Sequence, residues 1–395
     1  MGEFGMTASA HSLNIGIVGA GGFANFAAKC FVMVDGIKIV AVADTNLSAA
    51  STLAGIFGAR VYQDFNKFLD DDRIDLVYIA TPPNLHFQQS RLALLAGKHV
   101  ICEKPAALST RDAEDLVDLS KATKNLYVVN LMQRYNPLYT TVKKIVDDKI
   151  LGDFTHGYFE NYASDELLDE SHWFWNDVRS GGIFIEHGVH FFDLFSGWLG
   201  HGELIYAAKW HRPDVAADVY DRVLALVNYR KGPVSFYHGF DQPKVLDRQE
   251  MRLQFERGDV TLYGWVPVRL KLTGLLDLAQ IHDIQTLMPE SEVRILGADG
   301  IEIAWTSDPR SKRSAIQPGH SAKGRFKAIG YDHRVTIGHG DDGQKMYVYG
   351  ELLKKMIVDQ RAWILDRTKE RVVNEINAVE SLRVAEKAAT VAIEL

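Results

Sequence analysis

Short apolar runs recur through the first third of the chain, each closed by glycine, proline or a polar cluster. Residues 13–18, 38–43, 76–80, 99–102 and 126–130 are too short for helices and too uniformly apolar for strands wet on one side. They read as strands buried on both faces, the pattern of a parallel sheet. Between them, residues 25–34, 87–96 and 110–123 carry helical spacing, and 62–69 reads as a strand start and a short helix. Alternating strands and helices predict a doubly wound α/β half.

Further along, the period changes. Residues 221–228 and 234–240 flank Tyr229-Arg230-Lys231-Gly232-Pro233, and 250–256 and 260–263 flank Arg257-Gly258-Asp259. Both pairs predict hairpins by their turn residues. Residues 266–272 and 292–296 are further strand candidates, 344–361 and 370–394 read as amphipathic helices, and polar 307–330 reads as a long loop or insertion. The expected fold class is α/β: an N-terminal dinucleotide-binding domain, then an α+β domain with a large, mostly antiparallel open sheet. The expected domains are 13–135 and 136–395, the C-terminal helix being free to pack back on the first. Residues 1–12 form a tail, in which Met1–Gly5 ahead of Met6 reads as an appended remnant.

The first strand runs into Gly19-Ala20-Gly21-Gly22-Phe23-Ala24, which fits G-x-G-x-x-G/A. The first glycine permits the tight turn, the second lets the backbone approach a pyrophosphate, and small Ala24 permits close helix–strand packing. Amides at the start of the next helix can hold the phosphate charge. The second strand ends in Asp44, an acceptor for ribose hydroxyls. Thr45 and Asn46 follow, with no arginine to meet a 2′-phosphate, so NAD is expected rather than NADP. Two more strands end in chemistry. Thr81-Pro82-Pro83-Asn84-Leu85-His86 closes one and Glu103-Lys104-Pro105 another, both at carboxyl ends, where ligands bind in open α/β sheets.

The densest run is Gly181-Gly182-Ile183-Phe184-Ile185-Glu186-His187-Gly188-Val189-His190-Phe191-Phe192-Asp193. On a helix, Glu186, His190 and Asp193 fall at i, i+4 and i+7 and share one face. A histidine supported by a carboxylate is a general base whose pKa can sit near neutrality. Asp193 reads as structural or as a partner for substrate hydroxyls. A metal site of Glu186, His187 and His190 is the lesser reading, because no further ligand cluster is evident and hydride transfer needs no metal. Upstream, Ser171-His172-Trp173-Phe174-Trp175-Asn176 interleaves aromatic and polar groups, which suits stacking on a sugar ring and suits an ordinary core equally.

Taken in order, these motifs resemble the glucose–fructose oxidoreductase / inositol dehydrogenase (Gfo/Idh/MocA) family over about residues 13–200, and more loosely beyond. The resemblance implies a Rossmann domain followed by an α/β domain with a large, mostly antiparallel sheet. It implies that Lys104 and His190 flank the reacting carbon, and it places Arg134 and Tyr135 at the substrate side. The acid four residues before the histidine is usually Asp in that family; here Glu186 stands there, one methylene longer.

Composition narrows the classes. Of 395 residues, 47% are hydrophobic and 24% charged, ordinary for a globular protein with two cores. A net charge of −7 with no basic stripe argues against nucleic acid. No apolar run of about eighteen residues suggests a membrane span. Cys30 and Cys102 sit in apolar context and read as core thiols of a cytoplasmic protein.

The expected function is an NAD-dependent oxidoreductase. His190, helped by Glu186, would take the hydroxyl proton of a secondary carbinol in a sugar, glycoside or cyclitol. Lys104 would polarise that oxygen. The expected cofactor residues are Gly19, Gly21, Gly22, Phe23, Ala24, Asp44, Thr81, Pro82, Asn84, His86, Glu103 and Lys104. The expected substrate residues are Lys104, Arg134, Tyr135, His172, Trp173, Trp175, His187, His190 and Asp193. Two alternatives carry the same motifs: a glycoside-cleaving enzyme that oxidises, eliminates and re-reduces, and a non-catalytic dinucleotide sensor. The sensor would be expected to have lost Lys104 or His190, and both are present. A homodimer or homotetramer joined through the open sheet is also expected, with Val234, Phe236, His238 and Phe240 on one strand face and Ser235 and Tyr237 on the other.

Overall fold

The computed structural model describes residues 12–213, 215–216, 219–296, 302–304, 320–323 and 328–395. The chain divides into two units, residues 1–132 with 350–382 and residues 133–349 with 383–395. The first break falls three residues before the expected boundary, and the first unit takes back residues 350–382.

The first unit alternates β1 (Leu13–Val18), α1 (Gly22–Phe31), β2 (Ile37–Ala43), α2 (Leu47–Phe57), β3 (Arg60–Tyr62), α3 (Phe65–Leu69), β4 (Leu76–Ile79), α4 (His86–Leu95), β5 (His99–Cys102), α5 (Thr110–Thr123) and β6 (Tyr127–Val129). The strands form one parallel sheet in the order β3-β2-β1-β4-β5-β6. Ile15, Ile17, Leu76, Val77, Tyr78, Ile79, Val100 and Ile101 are fully buried, as expected for strands covered on both faces. Cys30 and Cys102 are buried free thiols. Near its start, β2 is tied to the later segment: the Arg361 guanidinium donates to the Asp35 carbonyl at 3.2 Å.

The second unit opens with α6 (Pro137–Asp147) and β7 (Phe154–Ser164). Then come α7 (Asp177–Ser180), a π-helical turn at Phe184–Gly188, and α8 (Val189–Leu199). Strands β8 (Gly202–Trp210), β9 (Arg222–Tyr229), β10 (Gly232–Gln242), β11 (Arg248–Phe255), β12 (Gly258–Tyr263) and β13 (Arg269–Leu276) follow, with α9 (Leu278–Leu287) and β14 (Glu292–Leu296). After β15 (Glu302–Ala304), β16 (His320–Lys323) and β17 (Ala328–Tyr331) pair as a separate hairpin, and β18 (His333–His339) returns to the main sheet. The chain closes with α10 (Lys345–Leu365), α11 (Glu375–Val391) and β19 (Ile393–Glu394).

Eleven strands form the large sheet, in the order β15-β14-β18-β13-β12-β11-β7-β10-β9-β8-β19. It is antiparallel except where β7 meets β10 and β8 meets β19. Both expected hairpins, β9–β10 and β11–β12, form. The strand expected at 266–272 begins only at Arg269, because Trp265 and Pro267 lie in a turn whose carbonyls accept from the Gln133 and Asn136 amides at 2.6 and 2.8 Å. The segment 307–330 falls largely outside the described residues; its described parts are β16 and most of β17, a hairpin rather than a loop.

The inner face of the sheet packs against α8. Phe159 stacks on Phe191 with ring centroids 3.6 Å apart, and Phe236 meets Phe192 at 4.8 Å and Phe195 at 5.2 Å. All these rings are essentially fully buried, each worth about 1.5–3 kcal/mol of transfer from water. Among the described residues, no helix is long and apolar enough to cross a membrane.

Candidate active site

In the first unit the glycine turn separates two reasons for glycine. Gly19 has φ +92°, and a Cβ there would stand 2.5 Å from the Ala80 carbonyl oxygen, so the fold itself needs glycine at this position. Gly21 has φ −71°, and a Cβ on Gly21 or Gly22 would meet nothing within 4 Å. Neither conformation nor packing within the chain requires glycine at those two positions. The open space is what a close-lying pyrophosphate needs, at the start of a helix whose amides carry no side-chain cap. Ala24 is 1% exposed, consistent with its small-residue role.

Asp44 braces this turn. Its Oδ2 accepts the Ala20 amide at 2.7 Å and its Oδ1 accepts the Asn46 amide at 2.7 Å. A carboxylate offers about four lone-pair sites, so both oxygens keep capacity for ribose hydroxyls. Asn46 is engaged as the cap of α2, accepting from the Ser48 and Ala49 amides.

The two other strand-end motifs are stapled together. His86 is buried, with Nδ1 2.7 Å from the Pro105 carbonyl and Nε2 2.7 Å from the Thr81 carbonyl. Its ring thus faces backbone and ties the loop at Thr81 and Pro82 to the turn that carries Lys104. The Thr81 hydroxyl donates to Gln89 Oε1 at 2.6 Å, while Asn84 is exposed. Beneath Lys104, the Glu103 carboxylate accepts from the Tyr78 hydroxyl and, at 2.7 Å, from the Asn130 amide. Burial pushes the Glu103 carboxyl above the usual carboxylate range. Glu103 therefore reads as the anchor of the turn, and half-buried Lys104 as the group it presents.

In the second unit, Glu186, His190 and Asp193 are 9%, 7% and 1% exposed. The plain α-helical spacing expected for them is altered, since Glu186 and His187 lie in the π-helical turn and only His190 and Asp193 lie in α8. A π-turn takes an extra residue, and such turns are frequent at functional sites.

Asp193 is committed to Arg134. The guanidinium Nε donates to Oδ2 at 2.9 Å, Nη2 lies 2.8 Å from Oδ1, and Nη2 also donates to the Asp193 carbonyl at 3.2 Å. This buried fork ties the segment of Arg134 and buried Tyr135 to α8. His187 is half-buried, its Nδ1 2.9 Å from His238 Nδ1.

His190 has a neighbour, Trp265, that carries no signal in the sequence. The two rings lie 6.2 Å apart, and the Lys345 ammonium lies 5.4 Å from the same indole. Burial pushes the Lys345 pKa below its ordinary value. Trp265 sits far along the chain from the Glu186–His190 run and belongs to no motif, so only folding brings it there, with Lys345 over its indole.

The aromatic segment divides. Phe174 is core, packed on Phe240 at 4.9 Å. Trp173 and Trp175 are half-buried, and Trp175 Nε1 donates to the Leu168 carbonyl at 3.0 Å. His172 Nδ1 accepts the Phe174 amide at 3.3 Å. Trp175 and His172 line a depression of about 630 Å³ with Asp165, Asn176, Arg212 and Asp221. There the Arg212 guanidinium lies 2.7 Å from both Asp165 and buried Asp221. Among the described residues, no group of three or more His, Cys, Asp and Glu is placed to hold a metal ion.

The chain is similar to known proteins. The Gfo/Idh/MocA oxidoreductase family model, described as an NAD-binding Rossmann fold, matches residues 13–131, and the model of the family's C-terminal domain matches residues 139–261. Oxidoreductase P35 of Formosa agariphila is 25% identical over 320 residues, covering 78% of this chain and 96% of that protein. Inositol 2-dehydrogenase 2 of Saccharopolyspora erythraea is 27% identical over 312 residues, covering 76% and 80%. Matches to several other curated relatives span between 50% and 55% of their length. In fold, the chain is similar to the WlbA dehydrogenase from Bordetella pertussis, solved with NADH and UDP-GlcNAcA. The TM-score is 0.74 at 18% identity, over 97% of both chains.

Proposed function

Because the chain belongs to the Gfo/Idh/MocA oxidoreductase family, with an NAD(P)-binding Rossmann domain at its start, we propose that it is an NAD-dependent dehydrogenase. Its substrate is a sugar, glycoside or cyclitol, oxidised at a secondary alcohol to the ketone. The observation that carries this reading is the buried pair Glu186 and His190, in a chain that also presents Lys104 next to a half-buried, hydrogen-bonded Glu103. The names of the inositol dehydrogenase and the nucleotide-sugar-bound WlbA enzyme support the substrate class.

The turn from Gly19 to Ala24, with Asp44 and the loop at Thr81, would hold the dinucleotide. When bound, the nicotinamide supplies hydride acceptance or return. The chain's own groups handle the proton. His190 takes it from the carbinol at Nε2, because Nδ1 is sealed from solvent. Glu186 stabilises the imidazolium that results. The Lys104 ammonium donates to the substrate oxygen as alkoxide charge develops. Arg134 and Asp193 hold α8 in register for this. The depression beside Trp175 offers an aromatic ring among carboxylates and a guanidinium, a lining that suits hydroxyl-rich ligands.

A screen of NAD reduction against inositols, pyranoses and glycosides tests the reading. Net NADH with a free keto product supports it; no NADH from any polyol overturns it.

The cofactor preference is a separate expectation. Asp44 repels a 2′-phosphate, so kcat/KM for NAD exceeds that for NADP by about tenfold, or ~1.4 kcal/mol. A ratio below one would move the ribose contact away from Asp44. Two buried free thiols suit a reducing compartment, and the reading places the enzyme in the cytoplasm.

The outer face of the large sheet supports self-association. Tyr158, Tyr162, Tyr237 and Tyr263 are half-exposed there. Arg248 lies over Tyr162 at 4.5 Å and Arg269 over Tyr263 at 4.0 Å. Tyrosine and arginine are enriched at protein interfaces. Light scattering is expected to give a dimer or tetramer; a monomer mass throughout the micromolar range would leave this face without a partner.

A further inference from the structure

His187 and His238 meet edge to face, with ring centroids 5.1 Å apart at 89° and the two Nδ1 atoms 2.9 Å apart. Two nitrogens at that distance share one hydrogen: one donates and the other accepts through its lone pair. The surroundings of His238 decide which. Its ring is 0% exposed, beside Phe159 at 5.1 Å and Phe191 at 5.8 Å. Its Nε2 is sealed from solvent with no hydrogen-bond partner among the described residues.

A hydrogen on that Nε2 would be a buried N–H without an acceptor, among the costliest polar groups to leave unmatched. A bare lone pair in the same place is better tolerated. Burial also keeps the ring neutral, its pKa pushed down to about 3. The single hydrogen of His238 therefore belongs on Nδ1, donated to Nδ1 of His187. That leaves His187 to carry its own hydrogen on Nε2.

We infer that His238 is a positioning residue that locks His187 as the Nε2–H tautomer, so that His187 offers a hydrogen-bond donor to a substrate oxygen one helical turn before His190. The His187 ring has little freedom to turn away. It is set against Phe191 and Phe240, each at 5.1 Å, as well as against His238. The pair thus gives the site a fixed donor alongside the proton-transfer group. The substrate end of this inference rests on the dehydrogenase reading; the tautomer does not.

Long-range proton–nitrogen correlation spectra of the full-length protein, labelled with 15N-histidine, separate the two tautomers of each ring. His187→Gln and His238→Asn supply the assignments. The expected wild-type result is Nε2–H for His187 and Nδ1–H for His238. His238→Asn, whose side-chain amide can still donate, retains the His187 pattern. His238→Leu, which has no donor, loses it and gives a mixture. On a sugar the enzyme accepts, His238→Leu raises KM about tenfold with a smaller change in kcat, and His238→Asn restores most of it.

Nδ1–H on wild-type His187 overturns the inference, and that measurement stands even if His238→Leu does not fold. An unchanged pattern in folded His238→Leu also overturns it. A correct tautomer in a protein that oxidises no polyol leaves the lock intact and removes the dehydrogenase reading instead.

Discussion

Replacing His190 by alanine is expected to lower turnover by at least about a hundredfold, and Lys104→Ala by a comparable factor, while dinucleotide binding is retained. The two residues do different work. In the proposed mechanism His190 accepts the carbinol proton at Nε2, and without it that proton would have to go to water from a site built around a buried carboxylate. In the same mechanism Lys104 would stabilise charge on the oxygen as it forms, and removing a positioned donor of this kind costs about 10²–10³ in kcat. The check is steady-state turnover together with NAD titration by fluorescence. The thermal midpoint of each variant shows that the fold has survived. Near-wild-type turnover in either variant would take that residue out of the mechanism. A matching loss of NAD affinity in Lys104→Ala would make its role one of cofactor binding.

The second large effect divides the glycine turn. Gly19→Ala places a side chain at φ +92° and 2.5 Å from the Ala80 carbonyl oxygen. Left-handed backbone in a non-glycine residue costs about 1–2 kcal/mol before the clash is counted. A midpoint lower by roughly 5–10 °C is expected. Gly21→Val meets nothing in the chain and has an ordinary φ, so its midpoint should stay within a degree or two of wild type. Its NAD affinity should nevertheless fall by at least about tenfold, because the added carbons would stand where the proposed dinucleotide site brings the pyrophosphate close. Equal destabilisation in both variants would mean that Gly21 serves the fold and not the ligand.

The sequence alone was enough for elements whose cause is local. Uniform apolar runs cannot face water on either side, so five buried strands of the first sheet, at 13–18, 38–43, 76–80, 99–102 and 126–130, stood out without any knowledge of their neighbours. The glycine turn, Asp44 at the end of β2 and the two hairpins were legible for the same reason: backbone conformation and turn chemistry act over a few residues. The acid–base run could also be read, because its residue types are costly to bury without purpose.

Tertiary structure decided whatever depends on partners distant in sequence. Helical spacing put Glu186 on the His190 face, but the π-helical turn set the actual geometry, and nothing local marks such a turn. Arg134 and Asp193 both looked available for substrate until folding joined them in a buried ion pair. His86 looked like a cofactor residue from its place at a strand end; folding sets its two ring nitrogens each 2.7 Å from a backbone carbonyl, those of Pro105 and Thr81. The start of β13 was displaced because Gln133 and Asn136 reach across to the turn ahead of it. His238 read as one face of a strand, and only the packing of β10 against α8 brought it to His187. Propensity and periodicity are properties of a short window of chain. Burial, ion pairing and tautomer choice are properties of an environment, and that environment exists only once the chain has folded.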